Sequence, residues 1–271
     1  MITGYHAVYE NNYFEGIENA YTNGFEFVQF DLSIPKFFLD GLTIDEMSKI
    51  SNYARERNVV ITFHAPGDNV SLYCDYPFIR DGILKQFKMM IEKANILEAR
   101  HITIHAGAFP MFKKSGAKID EYSSIYKSYY ENILYDNLKE LIANEFDTMI
   151  CLENYNFNSL TIEVAKRLIN NGFALYLTLD TAKMYTRNFQ INKEVFDFSK
   201  EYKDYIRELH IHDINEPFGS HQIPGTGIVD FTLFHDFIQN DNTYINFEIR
   251  PIESAAIAKK YFNLYYNGGR S

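Results

Sequence analysis

The chain has 271 residues, 46% of them hydrophobic, so it can bury a full core, and its length does not force a split because single α/β barrels commonly run about 250 residues. A formal charge of −10 is a poor electrostatic match for a phosphate backbone and argues against a nucleic-acid partner. Cys74 and Cys151 stand far apart without CxxC spacing, Met1 to His6 lacks the segments of a signal peptide, and no run of about 18 apolar residues occurs, so a soluble cytoplasmic protein without a membrane partner is expected.

Ile2 to Val8 reads as a first strand, followed by a helix from Tyr13 that stops at Asn23-Gly24. Phe25 to Asp31 is a second strand. Thr43 with Glu46 three residues later forms a capping box that opens a helix through Arg57. Val59 to His64 is strand three, stopped by Ala65-Pro66-Gly67, and a loop containing Tyr76-Pro77 follows. Ile83, Phe87, Met90, Ile91 and Ala94 then recur at helical spacing. Ile102 to His105 is strand four, closed by Gly107 and Pro110, and a helix from Tyr122 to Ala143 leads to strand five, Met149 to Glu153. Helix five runs from Thr161 to Asn171 and feeds strand six, Leu175 to Asp180; a helix from Lys193 precedes strand seven, Ile206 to His212. Phe231 to Gln239 is short and helical, Tyr244 to Glu248 is strand eight, and Glu253 to Tyr265 is a last helix.

Eight strand–helix units with no linker, repeat or composition break predict a single (β/α)8 barrel domain over residues 1–271. An open doubly wound sheet usually carries a glycine-rich first turn, and no GxGxxG follows any of these strands. In a barrel the strand ends converge at the carboxyl-terminal mouth, where such folds do chemistry. Here they present His6, Asp31, His64, His105, Glu153, Asp180, His212 and Glu248. So many ionisable ends are hard to explain as structure, because each would need a buried partner if it did not line a site. Glu153, Asp180, His212 and Glu248 form one constellation. Imidazole with carboxylates suits Mn, Co, Zn, Fe or Mg; the bland alternative is a salt-bridge network around Lys183 or Arg250.

His210 and His212 share the inward side of strand seven, with His210 a layer deeper as a core residue. His101, at the start of strand four, and His235, on an outer helix, are not site candidates. Cys151 is barrel filling. The stretch from His221 through Pro224-Gly225-Thr226-Gly227 to Asp230 reads as a loop directly after strand seven. Its glycines permit a tight turn close to a ligand, and Asp230 caps the next helix.

His64-Ala65-Pro66, His105-Ala106-Gly107, Leu152-Glu153-Asn154, Leu179-Asp180-Thr181, His210-Ile211-His212-Asp213, the His221 to Asp230 stretch and Phe247-Glu248-Ile249-Arg250 resemble the xylose-isomerase-like barrel superfamily over nearly the whole chain. That superfamily contains sugar and sugar-phosphate isomerases and epimerases, and endonuclease IV. The resemblance implies that Glu153, Asp180, His212 and Glu248 hold one divalent metal ion (Mn, Zn, Co or Mg), with the two glutamates also transferring protons. It implies a carbohydrate substrate bound with help from His64, His105, Lys183, His221 and Arg250, and it is compatible with a homo-oligomer. Two departures stand out. Endonuclease IV's Asp-x-x-His is Asp180-Thr181-Ala182-Lys183 here, and its Asp-x-His is Gly219-Ser220-His221. An ammonium is a charge rather than a ligand, which speaks against a trinuclear zinc cluster. The rival expectations are therefore a metal-dependent phosphodiesterase of the abasic-site type and a degenerate barrel that binds without turnover.

Overall fold

The computed structural model describes residues 1–67, 70–109, 124–143, 146–186, 188–216, 218–240 and 242–268. Ten strands occur among them: β1 (Ile2–Ala7), β2 (Phe27–Asp31), β3 (Val60–His64), β4 (His101–Ile104), β5 (Met149–Glu153), β6 (Leu175–Asp180), β7 (Ile206–Ile211), β8 (Asp213–Asn215), β9 (Gly219–Gln222) and β10 (Tyr244–Phe247). All but β8 and β9 pair in parallel around a closed ring, with β10 bonded to both β7 and β1. The helices are α1 (Tyr13–Thr22), α2 (Ile44–Glu56), α3 (Pro77–Ile96), α4 (Ser124–Ile142), α5 (Ser159–Asn170), α6 (Lys193–Glu201), α7 (His235–Ile238) and α8 (Ile252–Gly268). This is a (β/α)8 barrel.

Its strands are buried along nearly their whole length, as parallel strands covered by helices must be, which is why they read as apolar runs rather than as alternations. The helices start where side chains can satisfy their first amides. Asn12 accepts from Glu15 N, Asn158 from Leu160 N and Thr161 N, and the Thr43–Glu46 capping box is present in both directions. Asp230 caps the 3-10 turn Phe231–Phe234 by accepting from Thr232 N.

Several boundaries differ from expectation. Strand four begins at His101, which pairs with Met149, so His105 stands just beyond it. Glu248 likewise follows β10. Pro77 opens α3 as its first residue, a position where a missing N–H costs nothing. Pro110 and the expected helix start at Tyr122 lie outside the described residues. The largest difference follows strand seven, where a loop was expected and β8 and β9 form an antiparallel hairpin instead.

That hairpin is organised by Asp213. Its Oδ2 accepts from Gly225 N and Gly227 N, and its Oδ1 accepts from Ile214 N and Val229 N. A Cβ on Gly227 would lie 2.0 Å from the Ile214 carbonyl oxygen and 2.5 Å from Asp213 Oδ1. The glycine is therefore needed for close approach to Asp213 and the Ile214 carbonyl.

Inside the barrel, below the mouth, a polar layer replaces the branched apolar side chains usual in such folds. Glu208, fully buried, accepts from Gln29 Nε2 at 2.8 Å and Thr103 Oγ1 at 2.7 Å. His101 Nε2 and His210 Nε2 lie 3.1 and 3.2 Å from its Oε2, and Asn246 Nδ2 donates to Gln29 Oε1.

Candidate active site

The barrel's closure brings Glu153 at the end of β5, Asp180 at the end of β6, His212 after β7 and Glu248 after β10 to consecutive stations of the mouth. All four are buried. His212 Nε2 lies 3.1 Å from Asp180 Oδ2 and 3.7 Å from Glu248 Oε2. Glu153 joins them through His210, whose Nδ1 is 3.8 Å from Glu153 Oε1 and 3.4 Å from Glu248 Oε2. His210 is thus buried as expected, yet it also spans from Glu208 below to both glutamates above. Glu208 was missed; its signal was the inward alternation Glu208, His210, His212 along one strand.

Each side chain is held by its own local structure. Asp180 Oδ1 accepts from Ala182 N and Lys183 N in the turn after β6, which leaves Oδ2 for His212. Asn154 bridges the strand ends by donating to the Asp180 carbonyl and accepting from Asp180 N. Glu153 Oε2 lies 3.1 Å from His64 Nε2 and 2.7 Å from His105 Nε2, so these two imidazoles clamp a glutamate. His105 stacks on Tyr155 at 4.4 Å, and Lys183 Nζ sits 5.5 Å from the centre of that Tyr155 ring.

The hairpin delivers His221. Its backbone, at φ 62°, is in the left-handed region that a non-glycine residue seldom adopts. His221 N donates to His212 Nδ1 at 3.0 Å, which leaves Nε2 of His212 to carry the ring proton towards Asp180. The His221 ring donates from Nδ1 to the Glu248 carbonyl, so its Nε2 bears the lone pair. Arg250 Nη2 donates to Glu248 Oε1 at 3.2 Å.

Burial alone would push the Glu153, Asp180 and Glu248 carboxyls up, but the surrounding imidazoles outweigh it and hold all three below the ordinary carboxylate range. Burial works against charge on His212 and Lys183 as well. Asp180 and the nearby glutamates prevail and raise both. Burial draws His221 down to about 4, so it is neutral at pH 7.

The donor set suits a divalent ion. Ligand atoms of Asp180, His210 and Glu248 lie within 4.8 Å of one another, as do those of His212, His221 and Glu248, and those of His64, Glu153 and His210. His210 Nδ1, in reach of both glutamates, lacks a hydrogen bond of good geometry. Cys151 contributes no thiolate, since burial drives its pKa up. Beyond the hairpin, Asn156, Phe157, Lys183, Tyr185, Asn192 and Ser220 border a cavity of about 290 Å³.

An eight-stranded barrel with ionisable residues gathered at the carboxyl ends of its strands has the layout of a barrel enzyme. The chain belongs to the xylose isomerase-like TIM barrel family, whose model matches residues 17–262. No curated protein matches it by sequence. Among solved structures it resembles a D-tagatose 3-epimerase-like protein, with a TM-score of 0.77 and 20% identity over 100% of both chains. It also resembles the 3-keto-D-glucoside 4-epimerase YcjR from E. coli, with a TM-score of 0.72 and 17% identity over 97% of this chain and 99% of that one. The IOLI protein, whose structure holds a zinc atom, aligns with a TM-score of 0.70 and 16% identity over 99% of each. At these identities the likeness establishes the fold.

Proposed function

We propose that this chain is a divalent-metal-dependent isomerase or epimerase of a sugar or sugar phosphate. The observation that carries this reading is the pair of buried glutamates, Glu153 and Glu248, which come from strands three places apart in the ring and meet at the same His210 nitrogen. Glu153, Asp180, His212 and Glu248 would hold the ion. When bound, it supplies Lewis-acid polarisation to the carbonyl and hydroxyl oxygens of a hydroxy-ketone or hydroxy-aldehyde.

The rest is done by the chain's own groups. One glutamate takes the proton from the carbon beside the carbonyl; the C–H electrons move into the carbonyl system to give an enediolate, and the other glutamate returns a proton. Their separate approaches allow delivery to the opposite face, which inverts the centre. His64 and His105 hold Glu153 through Oε2, so its orientation is set before substrate arrives. Among the described residues, Lys183 and Arg250 are permanent cations placed to receive substrate oxygens or a phosphate.

Lys183 and Gly219, which stand where an endonuclease IV-like cluster needs ligands, weigh against abasic-DNA cleavage. The test is metal analysis of dialysed protein followed by a screen of ketoses, aldoses and their phosphates in deuterated solvent. Near-stoichiometric Mn or Zn is expected, along with exchange of one carbon-bound proton that Glu153→Gln or Glu248→Gln abolishes. Equal metal content in the wild type and an Asp180→Ala, His212→Ala double variant removes the proposal. So does proton exchange at the wild-type rate in both glutamine variants.

A further inference from the structure

His6 is the last residue but one of β1 and Asp31 ends β2, and neither belongs to the constellation proposed above. Yet barrel closure places them against it. Tyr5 pairs with Phe247 across the β1–β10 seam, so the residues that follow them, His6 and Glu248, are neighbours at the mouth. His6 is 2% exposed; its Nδ1 lies 3.3 Å from Glu248 Oε1 and accepts from Arg250 Nη2 at 3.4 Å, the guanidinium nitrogen that also donates to Glu248 Oε1. Its Nε2 lies 3.3 Å from Asp31 Oδ2, and its ring stacks on His64 at 5.6 Å. Asp31 is itself pinned, because its Oδ1 accepts from Ser33 N at 2.8 Å and Ser33 Oγ at 2.5 Å in the turn after β2. The result is a chain of contacts from a backbone turn through a carboxylate and an imidazole to Glu248.

The two oxygens of Glu248 are thereby divided. Oε1 faces His6, Arg250 and, at 3.8 Å, the His221 ring, while Oε2 faces His210 and His212. Without His6, Oε1 would keep the His221 ring 3.8 Å away and an Arg250 that has lost its own His6 acceptor, and the carboxylate could rotate. A ligand carboxylate fixed by an outer partner binds its ion more tightly than a free one, and loss of such a partner costs about 10- to 100-fold in metal affinity.

We infer that His6, backed by Asp31, is a positioning residue that orients the Glu248 carboxylate for divalent-ion binding and proton transfer. The inference rests on the proposed metal-dependent function, and its test separates the two. Mn(II) affinity of the full chain is measured by titration calorimetry for wild type, His6→Leu, His6→Asn, Asp31→Asn and Glu248→Gln, with melting temperature as the check on folding. Asparagine can present near the Nδ1 position an oxygen to accept from Arg250 or an N–H towards Glu248; leucine can present neither.

His6→Leu should weaken Mn(II) binding about 10- to 100-fold, and His6→Asn should restore most of it. Asp31→Asn should fall between. In a Glu248→Gln background His6→Leu should add little further loss, because its effect passes through that carboxylate. If His6→Leu does not fold, Asp31→Asn decides. Wild-type affinity in His6→Leu, or in Asp31→Asn when it decides, overturns the inference, as does an equal loss with and without Glu248.

If the wild type binds no Mn(II), the proposed function is what fails. The His6–Glu248 contact is then judged by proton NMR of the ion-free protein. A downfield, exchange-protected ring N–H that disappears in His6→Asn and shifts in Glu248→Gln supports positioning; its absence refutes it.

Discussion

Removing Glu208 should destabilise the barrel more than any other single change at the polar layer. The Gln29 amide and the Thr103 hydroxyl both donate to its carboxylate in a fully buried position; Glu208→Ala strands the amide and leaves the hydroxyl only Thr178. Each unsatisfied group costs about 1–3 kcal/mol. It also removes the anion facing His101 and His210 at 3.1 and 3.2 Å, and breaking a buried pair by deleting one partner costs about 3–5 kcal/mol. These terms overlap, so the expected loss is about 5 kcal/mol, a large part of a typical domain's stability. Glu208→Gln keeps the shape and one acceptor oxygen and should lose about half as much.

Urea unfolding followed by far-UV circular dichroism and by tyrosine fluorescence reads these losses cleanly, since the chain has 21 Tyr and no Trp. The pH dependence adds a second check. Burial raises the Glu208 carboxyl, but His101 and His210 outweigh it and hold the folded pKa below the ordinary range. A depressed folded pKa gives stability that is present above the unfolded value, about 4.3, and is lost as pH falls through the folded one. Glu208 also raises the His210 imidazole, whose contribution is complete below its unfolded value of about 6.5, so the wild-type advantage over Glu208→Gln should be full by about pH 6, hold to about 5 and shrink below about 4. An alanine variant within about 1 kcal/mol of wild type, or an advantage that grows as pH falls below about 4, refutes the reasoning.

Gly4→Ala should lower stability by about 1–3 kcal/mol, because the added Cβ would meet the Phe27 ring at 2.4 Å, and the drop in denaturation midpoint checks it. Thr43→Ala breaks the capping box of α2 and should cost about 1 kcal/mol, leaving Mn(II) affinity unchanged. Lys183→Met should keep the metal content yet lower kcat/KM about 10- to 100-fold on the substrate found by screening, as expected for losing a charged donor to a substrate oxygen. Unchanged kinetics there would remove Lys183 from the site.

The fold was legible because each strand announces itself locally. Met149–Glu153 and Leu175–Asp180 coincide with the apolar runs that predicted them, and Thr43 with Glu46 marks a helix start through atoms three residues apart. The hairpin was not legible. Asp213–Asn215 and Gly219–Gln222 are too short and too polar to show alternation, and what holds them is Asp213 reaching residues 12 to 16 positions away. Glu208 was hidden for a similar reason: its partners Gln29 and Thr103 lie 179 and 105 residues distant, so only closure of the barrel reveals that a carboxylate within a strand is satisfied. The strand ends were visible as a set, but which imidazole faces which oxygen depends on the register between neighbouring strands.

The choice of histidine at the mouth follows from the charges it must serve. Asp31, Glu153, Asp180 and Glu248 meet there with, among the described residues, only Lys183 and Arg250 as permanent cations, and buried carboxylates need close partners to stay ionised. Arginine or lysine in place of His212 would satisfy Asp180 but could never ligate an ion, because neither offers a lone pair while charged. An imidazole can do either. With Nδ1 accepting from His221 N, His212 directs Nε2–H at Asp180; with the proton moved to Nδ1, where the Asp213 carbonyl lies 3.4 Å away, Nε2 becomes a lone pair. On the proposed reading, that alternative lets the same side chain hydrogen-bond Asp180 when no ion is bound and share an ion with it otherwise, at the loss of the bond from His221 N to Nδ1.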